Sequence, residues 1–377
     1  MKVKSTQTKR PTSNTKTLDE NWGYFYESIF NKVFLNSKHS LLYGYILLMV
    51  IWFASAYYAD NKYHFSSVVI DWWWYCIAYA ISITTGMFFL NSAKSKLKKS
   101  YIFIMNLVTS EDDTQKAINE INLIGDKKKQ FVFCSVFGIL VFSLAVAQKV
   151  PITAEFTKEM GQFIIIFLAI WSSLAVFLTA GVGLWVAITS FKMTKYFCGL
   201  SNIKLDFVNP AQTIGISKLA GLMGYYATLF LMQVITWEMP YALTVWSANS
   251  KRLTLIDGLW TQNNVPFTVV TGIFGVFLII LLLYFIYPQT LISSLVETKK
   301  KEVLSDIQSK INKIYSEVDK TKSAEPALLG YYLSLYKEIE SNKSSLPLEN
   351  LVGFSASFIA SFMLSLAGKL SSLLKIP

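Results

Sequence analysis

Charge is scarce in this 377-residue sequence: 16% of the residues are Asp, Glu, Lys or Arg and 53% are hydrophobic, with a mean hydropathy of +0.40. Soluble globular chains carry about a quarter charged residues, so this chain needs several segments that avoid water. Histidine occurs only at His39 and His64, one on each side of the first apolar run. That excludes paired-histidine ligation of haem and a multi-histidine metal centre within one subunit. The three cysteines, Cys76, Cys134 and Cys198, are widely spaced and sit in or beside apolar stretches, so they imply neither a disulfide framework nor a cysteine metal site. No metal and no cofactor is expected. The signatures G-x-x-x-x-G-K-[ST], H-E-x-x-H and G-x-S-x-G are missing. An intramembrane serine nucleophile would find no His or Lys in the apolar runs to act as its base. The expectation is therefore a protein that is not an enzyme.

Six runs are long and apolar enough to cross about 30 Å of hydrocarbon: Leu41 to Tyr58, Trp72 to Leu90, Phe131 to Ala147, Phe163 to Ile188, Leu219 to Trp237 and Phe267 to Tyr287. The fifth continues through Tyr241 to Trp246 beyond a break expected at Pro240. With the N-terminus inside, 30 of the 35 Lys and Arg fall in inner segments, and Lys62, Lys149, Lys158, Lys251 and Arg252 fall outside. Together with the apolar runs, this positive-inside bias predicts an all-α integral membrane protein with six spans and both termini cytoplasmic. Aromatic clusters at Trp72 to Tyr75 and at Trp237, Tyr241 and Trp246 are expected to form interfacial belts.

Outside the spans the chain divides into a tail, an insertion and a C-terminal region. Residues 1–38 read as a cytoplasmic tail without a signal peptide, disordered at first and ending in an interfacial helix over Trp22 to Leu35. The six-span domain covers 39–290. Its insertion at 91–130 is expected to continue the second span inward and return along a helix from Glu111, capped by Ser110. Residues 291–345 carry Leu304, Ile307, Ile311, Ile314 and Val318 at heptad spacing, then Leu328, Tyr332, Leu335 and Ile339. Two heptads are too short for a stable isolated coil, so a helical hairpin is expected. Residues 346–377 form a last apolar helix, read either as a seventh or re-entrant span with a hydroxyl stripe or as a buried or interfacial helix.

No span contains Asp, Glu, Lys, Arg or His, which disfavours ion-coupled carriers and proton pumps that keep such a group at midplane. A conduit lined by hydroxyls, amides and small residues needs none. Pore-lining candidates are Gln233, Ser357, Ser361 and Ser365, with the alternative for Gln233 of bonding a neighbouring helix. Asp71 and Glu238, at the outer ends of two spans, are candidates for an acidic ring or are ordinary interfacial acids. On the inner face Lys94, Lys96, Lys98 and Lys99, with Lys127, Lys128 and Lys129, either attract anionic lipid or hold a cytoplasmic anionic ligand such as a nucleotide or single-stranded nucleic acid. Arg10 is the only inner arginine, so bidentate phosphate recognition is largely unavailable.

The pattern of Tyr287-Pro288, the charged run through Glu297, Lys299 and Glu302, then Leu335-Tyr336-Lys337-Glu338-Ile339 and Leu346-Pro347-Leu348, resembles an uncharacterised family of bacterial six-span membrane proteins. That family is expected to show aromatic-Pro-Phe at the position of Leu346-Pro347-Leu348, and an acid in the loop where this chain has Asn209-Pro210-Ala211-Gln212. The resemblance implies the fold and carries no site. General analogy to membrane effectors of anti-phage defence suggests an oligomeric channel or pore-forming effector gated from the cytoplasm. The alternatives are a non-conducting scaffold or accessory subunit, or a carrier of a neutral substrate. Expected partners are the bilayer, further copies of the chain, the anionic ligand and a protein docked on the C-terminal helices.

Overall fold

An apolar run in hydrocarbon must satisfy its backbone groups within itself, and helices are the direct solution for a chain of this pattern. The computed structural model describes residues 22–35, 37, 39–64, 72–147, 158–206, 208–246, 267–321 and 326–342, and all its regular elements there are helical. They are α1 (Phe25–Val33), α2 (Ser40–Tyr63), α3 (Trp72–Met105), α4 (Glu111–Ile124), α5 (Lys127–Ala147), α6 (Lys158–Ala175), α7 (Gly181–Cys198), α8 (Ile214–Trp246), α9 (Phe267–Thr321) and α10 (Pro326–Ser341). Among the described residues three helical segments are long and apolar enough to cross a membrane: Ser40–Tyr63, Ser173–Cys198 and Ile214–Gln233. Asp71, Ser357, Ser361, Ser365, the tail before Trp22 and the apolar helix expected over 346–377 lie outside the described residues, as does the side chain of Glu238.

The most extensive helix pair is α3 with α8. Gln233 reaches Ser82, Tyr226 reaches Ala93, and Gly215 lies against Leu107. As one number rises the other falls, so the helices run antiparallel. Ser92 and Tyr225 share a hydroxyl hydrogen bond on the same seam. At its end the seam closes on glycine: a Cβ at Gly215 would come within 2.6 Å of the Phe103 carbonyl oxygen and 2.5 Å of Leu107 Cγ. The backbone oxygen cannot rotate away as a side chain can. Gly215→Ala is therefore expected to cost about 1–3 kcal/mol, the usual range for overpacking, read as a lowered melting temperature of the reconstituted chain.

Basic segments gather at the Gly215 end of this pair. The ends of α3 and α7 are joined where Lys204 N–H donates to Leu107 O (2.8 Å) and Thr109 donates to Asn202 O (2.7 Å). Lys299 donates to Ser201 O and Asn342 to Val208 O, which brings the α9–α10 pair to the same end. That pair is a hairpin whose seam buries Ile307, Ile311 and Ile339, with Leu304, Leu335 and Tyr332 packed alongside. Helix α9 runs from Phe267 straight through Pro288.

Several expectations need correction. The helix expected over Trp22 to Leu35 begins only at Phe25, and the stretch turns most of its aromatic side chains inward. Trp22, Tyr24, Phe25, Tyr26 and Phe30 are all buried in the main core. Only Phe25 onward is helical, so the extended residues before it turn inward side chains that a helical wheel would scatter. Trp72 is likewise buried, in a cluster with Trp52, Phe167 and Trp171, while Trp73 faces out and donates to Asp60 (3.2 Å). Helix α8 continues through Pro240 without the expected break. Ser110 precedes α4 but its hydroxyl makes no capping bond. The run Phe163 to Ile188 is interrupted by a π-helical turn, Val176–Ala180.

Candidate functional site

The π turn is where the candidate site begins. A π turn inserts one extra residue per turn and displaces the following side chains from their α-helical register, a distortion found often at functional positions. Here it aims Thr179 and Ala180 at α3 and α8. Between α3, this turn, α7 and α8 lies a crevice of about 60 Å3, walled by Gly86, Leu90, Thr179, Gly183, Tyr226 and Gln233 among others. That volume holds a few molecules the size of water. No ionisable carboxylate, amine or imidazole lines it.

Gln233 supplies the strongest dipole of the wall. Its Nε2 donates to the Ser82 carbonyl at 3.1 Å, a contact between neighbouring helices. Gly86, one turn along α3 from Ser82, makes room for it: a Cβ there would stand 2.9 Å from Gln233 Oε1 and 3.0 Å from Thr179 Cγ2. The Ser82 hydroxyl is buried and has no hydrogen-bond partner among the described residues. The Thr179 hydroxyl donates back to Ala175 O at 2.6 Å and turns its methyl toward Gly86.

Directly against this wall sits the N-terminal segment. Tyr24 donates its hydroxyl to the carbonyl of Leu90, a wall residue, at 2.8 Å. The Phe25 ring meets Phe177, inside the π turn, edge-on at 4.7 Å between centroids. The segment and its neighbours also satisfy carbonyls that every helix leaves unpaired at its C-terminus. At the end of α4, Trp22 donates to Ile121 O (3.4 Å), Gln130 donates to Ile124 O (2.6 Å), and Trp185 donates to both Leu123 O and Ile124 O. Gln130 in turn accepts from the Phe25 N–H at 3.2 Å.

Glu27 and Lys94 lock the arrangement. Their ion pair measures 2.5 Å, with side chains only 10% and 17% exposed, and the other carboxylate oxygen of Glu27 is buried without a partner. Burial raises the Tyr24 phenol well above its ordinary value and the Glu27 charge adds to the rise; burial does the same for Tyr26. These phenols stay protonated at every physiological pH.

The lysines singled out in the sequence separate. Lys94 is paired with Glu27. Lys96 lies over the Tyr225 ring at 5.4 Å and Lys129 pairs with Asp126 at 3.2 Å. Lys98, Lys99 and Lys128 are exposed, and Lys127 is half-buried. They do not converge on one cavity. Among the described residues no three His, Cys, Asp or Glu side chains are grouped to hold a metal ion. Neither Glu27 nor Thr179 stands out as a site in the sequence, and the Ser82-to-Gly86 spacing reads there as close helix packing. The one available signal was Glu27 itself, a lone acid inside Trp22-Gly-Tyr-Phe-Tyr-Glu-Ser-Ile-Phe30. No known protein family, curated protein or solved structure matches the chain.

Proposed function

We propose that the chain is an oligomeric channel or pore-forming subunit of a bacterial inner membrane, opened from its basic, cytoplasmic end. The observation that carries this reading is the uncharged crevice beside the π turn, with the Gln233 amide in its wall and the N-terminal aromatic segment seated against it. The six spans are then α2, α3, α5, α6 with α7, α8 and the first half of α9. The exposed apolar side chains of α2 (Leu42, Ile46, Val50) and α5 (Val132, Val136, Ile139) support this by giving the bilayer two faces to cover. The gathering of residues 91–130, 199–213 and 289–342 at one end supports a common cytoplasmic side. A role as the membrane effector of a defence system is the biological setting we attach to this reading.

Solute flux into proteoliposomes tests it. Gln233→Leu removes the amide dipole and is expected to lower flux about tenfold, the equivalent of one hydrogen bond of about 1.4 kcal/mol. Wild-type vesicles that pass no current and no solute would overturn the channel. Saturable uptake without current would instead identify a carrier of a neutral solute, which the small uncharged crevice also suits. The mass of the complex in nanodiscs separates a shared axial pore, which needs at least three copies, from a path within each subunit. Exposed Tyr315, Leu328 and Tyr331 on the hairpin favour a docked protein as the alternative role, and a fixed co-purifying partner without flux would mark a scaffold.

A further inference from the structure

A second cavity, of about 520 Å3, opens between α4 and the end of α7. Its size is that of a small-molecule site. Lys116, Lys192 and Lys195 line it together with Asp113, Glu120 and Tyr196. None of the three lysines makes an ion pair among the described residues. Tyr196 donates its hydroxyl to the Asp113 carbonyl at 3.0 Å and ties the two walls together. Oxygen Oε2 of Glu120 is buried and has no hydrogen-bond partner.

The cleft thus sets three exposed lysines, none in an ion pair among the described residues, beside the half-buried carboxylates of Asp113 and Glu120. A simple anion would satisfy the lysines and leave Glu120 worse off. A ligand carrying a phosphate next to a primary ammonium satisfies both. Depth points the same way: the apolar run ends at Ile188, and at 1.5 Å per residue Lys192 stands about 6 Å beyond it, at headgroup depth, with Lys195 about one turn further out. We infer that this cleft binds a phosphoethanolamine group, with Lys192 and Lys195 on the phosphate and Glu120 accepting from the ammonium. The inference rests on α7 being a membrane helix and is independent of whether the chain conducts.

The experiment uses the full chain in nanodiscs of phosphatidylcholine and phosphatidylglycerol, doped with phosphatidylethanolamine. Incorporation is verified first, because failure at that step rejects the membrane reading and not the cleft. Native mass spectrometry then counts retained lipids. Wild type is expected to retain phosphatidylethanolamine about tenfold over phosphatidylcholine, whose trimethylated ammonium cannot donate to Glu120, a difference the size of one charge-assisted hydrogen bond. Glu120→Gln is expected to erase that preference, and Lys192→Gln with Lys195→Gln to lower retention of both lipids. A parallel arm titrates soluble phosphoethanolamine and follows protection of Lys192 and Lys195 from acetylation. Protection there without lipid retention supports the site and assigns it a soluble ligand. Equal retention by wild type and variants, with no protection by phosphoethanolamine, overturns the inference.

Discussion

Replacing Lys94 by alanine is expected to destabilise the chain by about 3–5 kcal/mol, the cost of leaving one member of a buried ion pair without its partner. The carboxylate left behind, Glu27, is 10% exposed and already has one oxygen without a hydrogen bond. It has no route to water except by pulling the N-terminal segment out of the core, and the same change would free the indole of Trp22 from Ile121. Thermal unfolding in nanodiscs reads the loss. Glu27→Ala with Lys94→Ala is expected to cost clearly less than the sum of the two single changes, because removing both charges leaves none to desolvate. Additive losses would mean that the two side chains do not act as a pair, and that aromatic packing alone seats the segment.

This pair also shows where the sequence stops being readable. Lys94 belongs to a run of four lysines that reads as a solvated basic face, and Glu27 to a tail that reads as interfacial. Nothing in the local pattern of either joins positions 67 apart. The apolar runs, by contrast, were legible wherever hydrophobicity alone decides the outcome. Leu41 to Tyr58 lies within α2, and the helix expected to run on from Trp72 past Asn91, followed by another from Glu111, is seen as α3 and α4. The α4 stripe of Ala117, Ile121 and Ile124 is buried as its helical spacing requires. Failures arose where packing overrides a local rule. Pro240 would stop a soluble helix, yet in α8 the helix continues on both sides, as membrane helices allow when neighbours accommodate the freed carbonyl. The π turn at Val176–Ala180 has no composition signal, because Val-Phe-Leu-Thr-Ala suits an α-helix equally well. The candidate site followed the same division: Gln233 stood out as the one strong amide in an apolar core and Gly86 as a packing position, whereas Thr179 acquires meaning only once α3, α7 and α8 are side by side.

Phe25→Ala is expected to release the N-terminal segment from the crevice wall. The Phe25 ring is 3% exposed and fills a space bounded by Phe177 at 4.7 Å and Phe131 at 5.7 Å. Truncating a buried phenylalanine costs about 3–5 kcal/mol. The long helices pack against one another without this ring, so the loss falls mainly on docking of residues 22–33. At 1.4 kcal/mol per factor of ten, the undocked population rises by about a hundredfold or more. Faster hydrogen exchange over α1, with exchange in α3 and α8 unchanged, would mark local release. If the segment is the plug of the proposed channel, basal flux rises in proportion to that release and Gln233→Leu reduces it in the same background. Release without any change in flux would make the segment a structural wedge whose purpose is to close the end of α4, and gating would then have to reside in the α9–α10 hairpin.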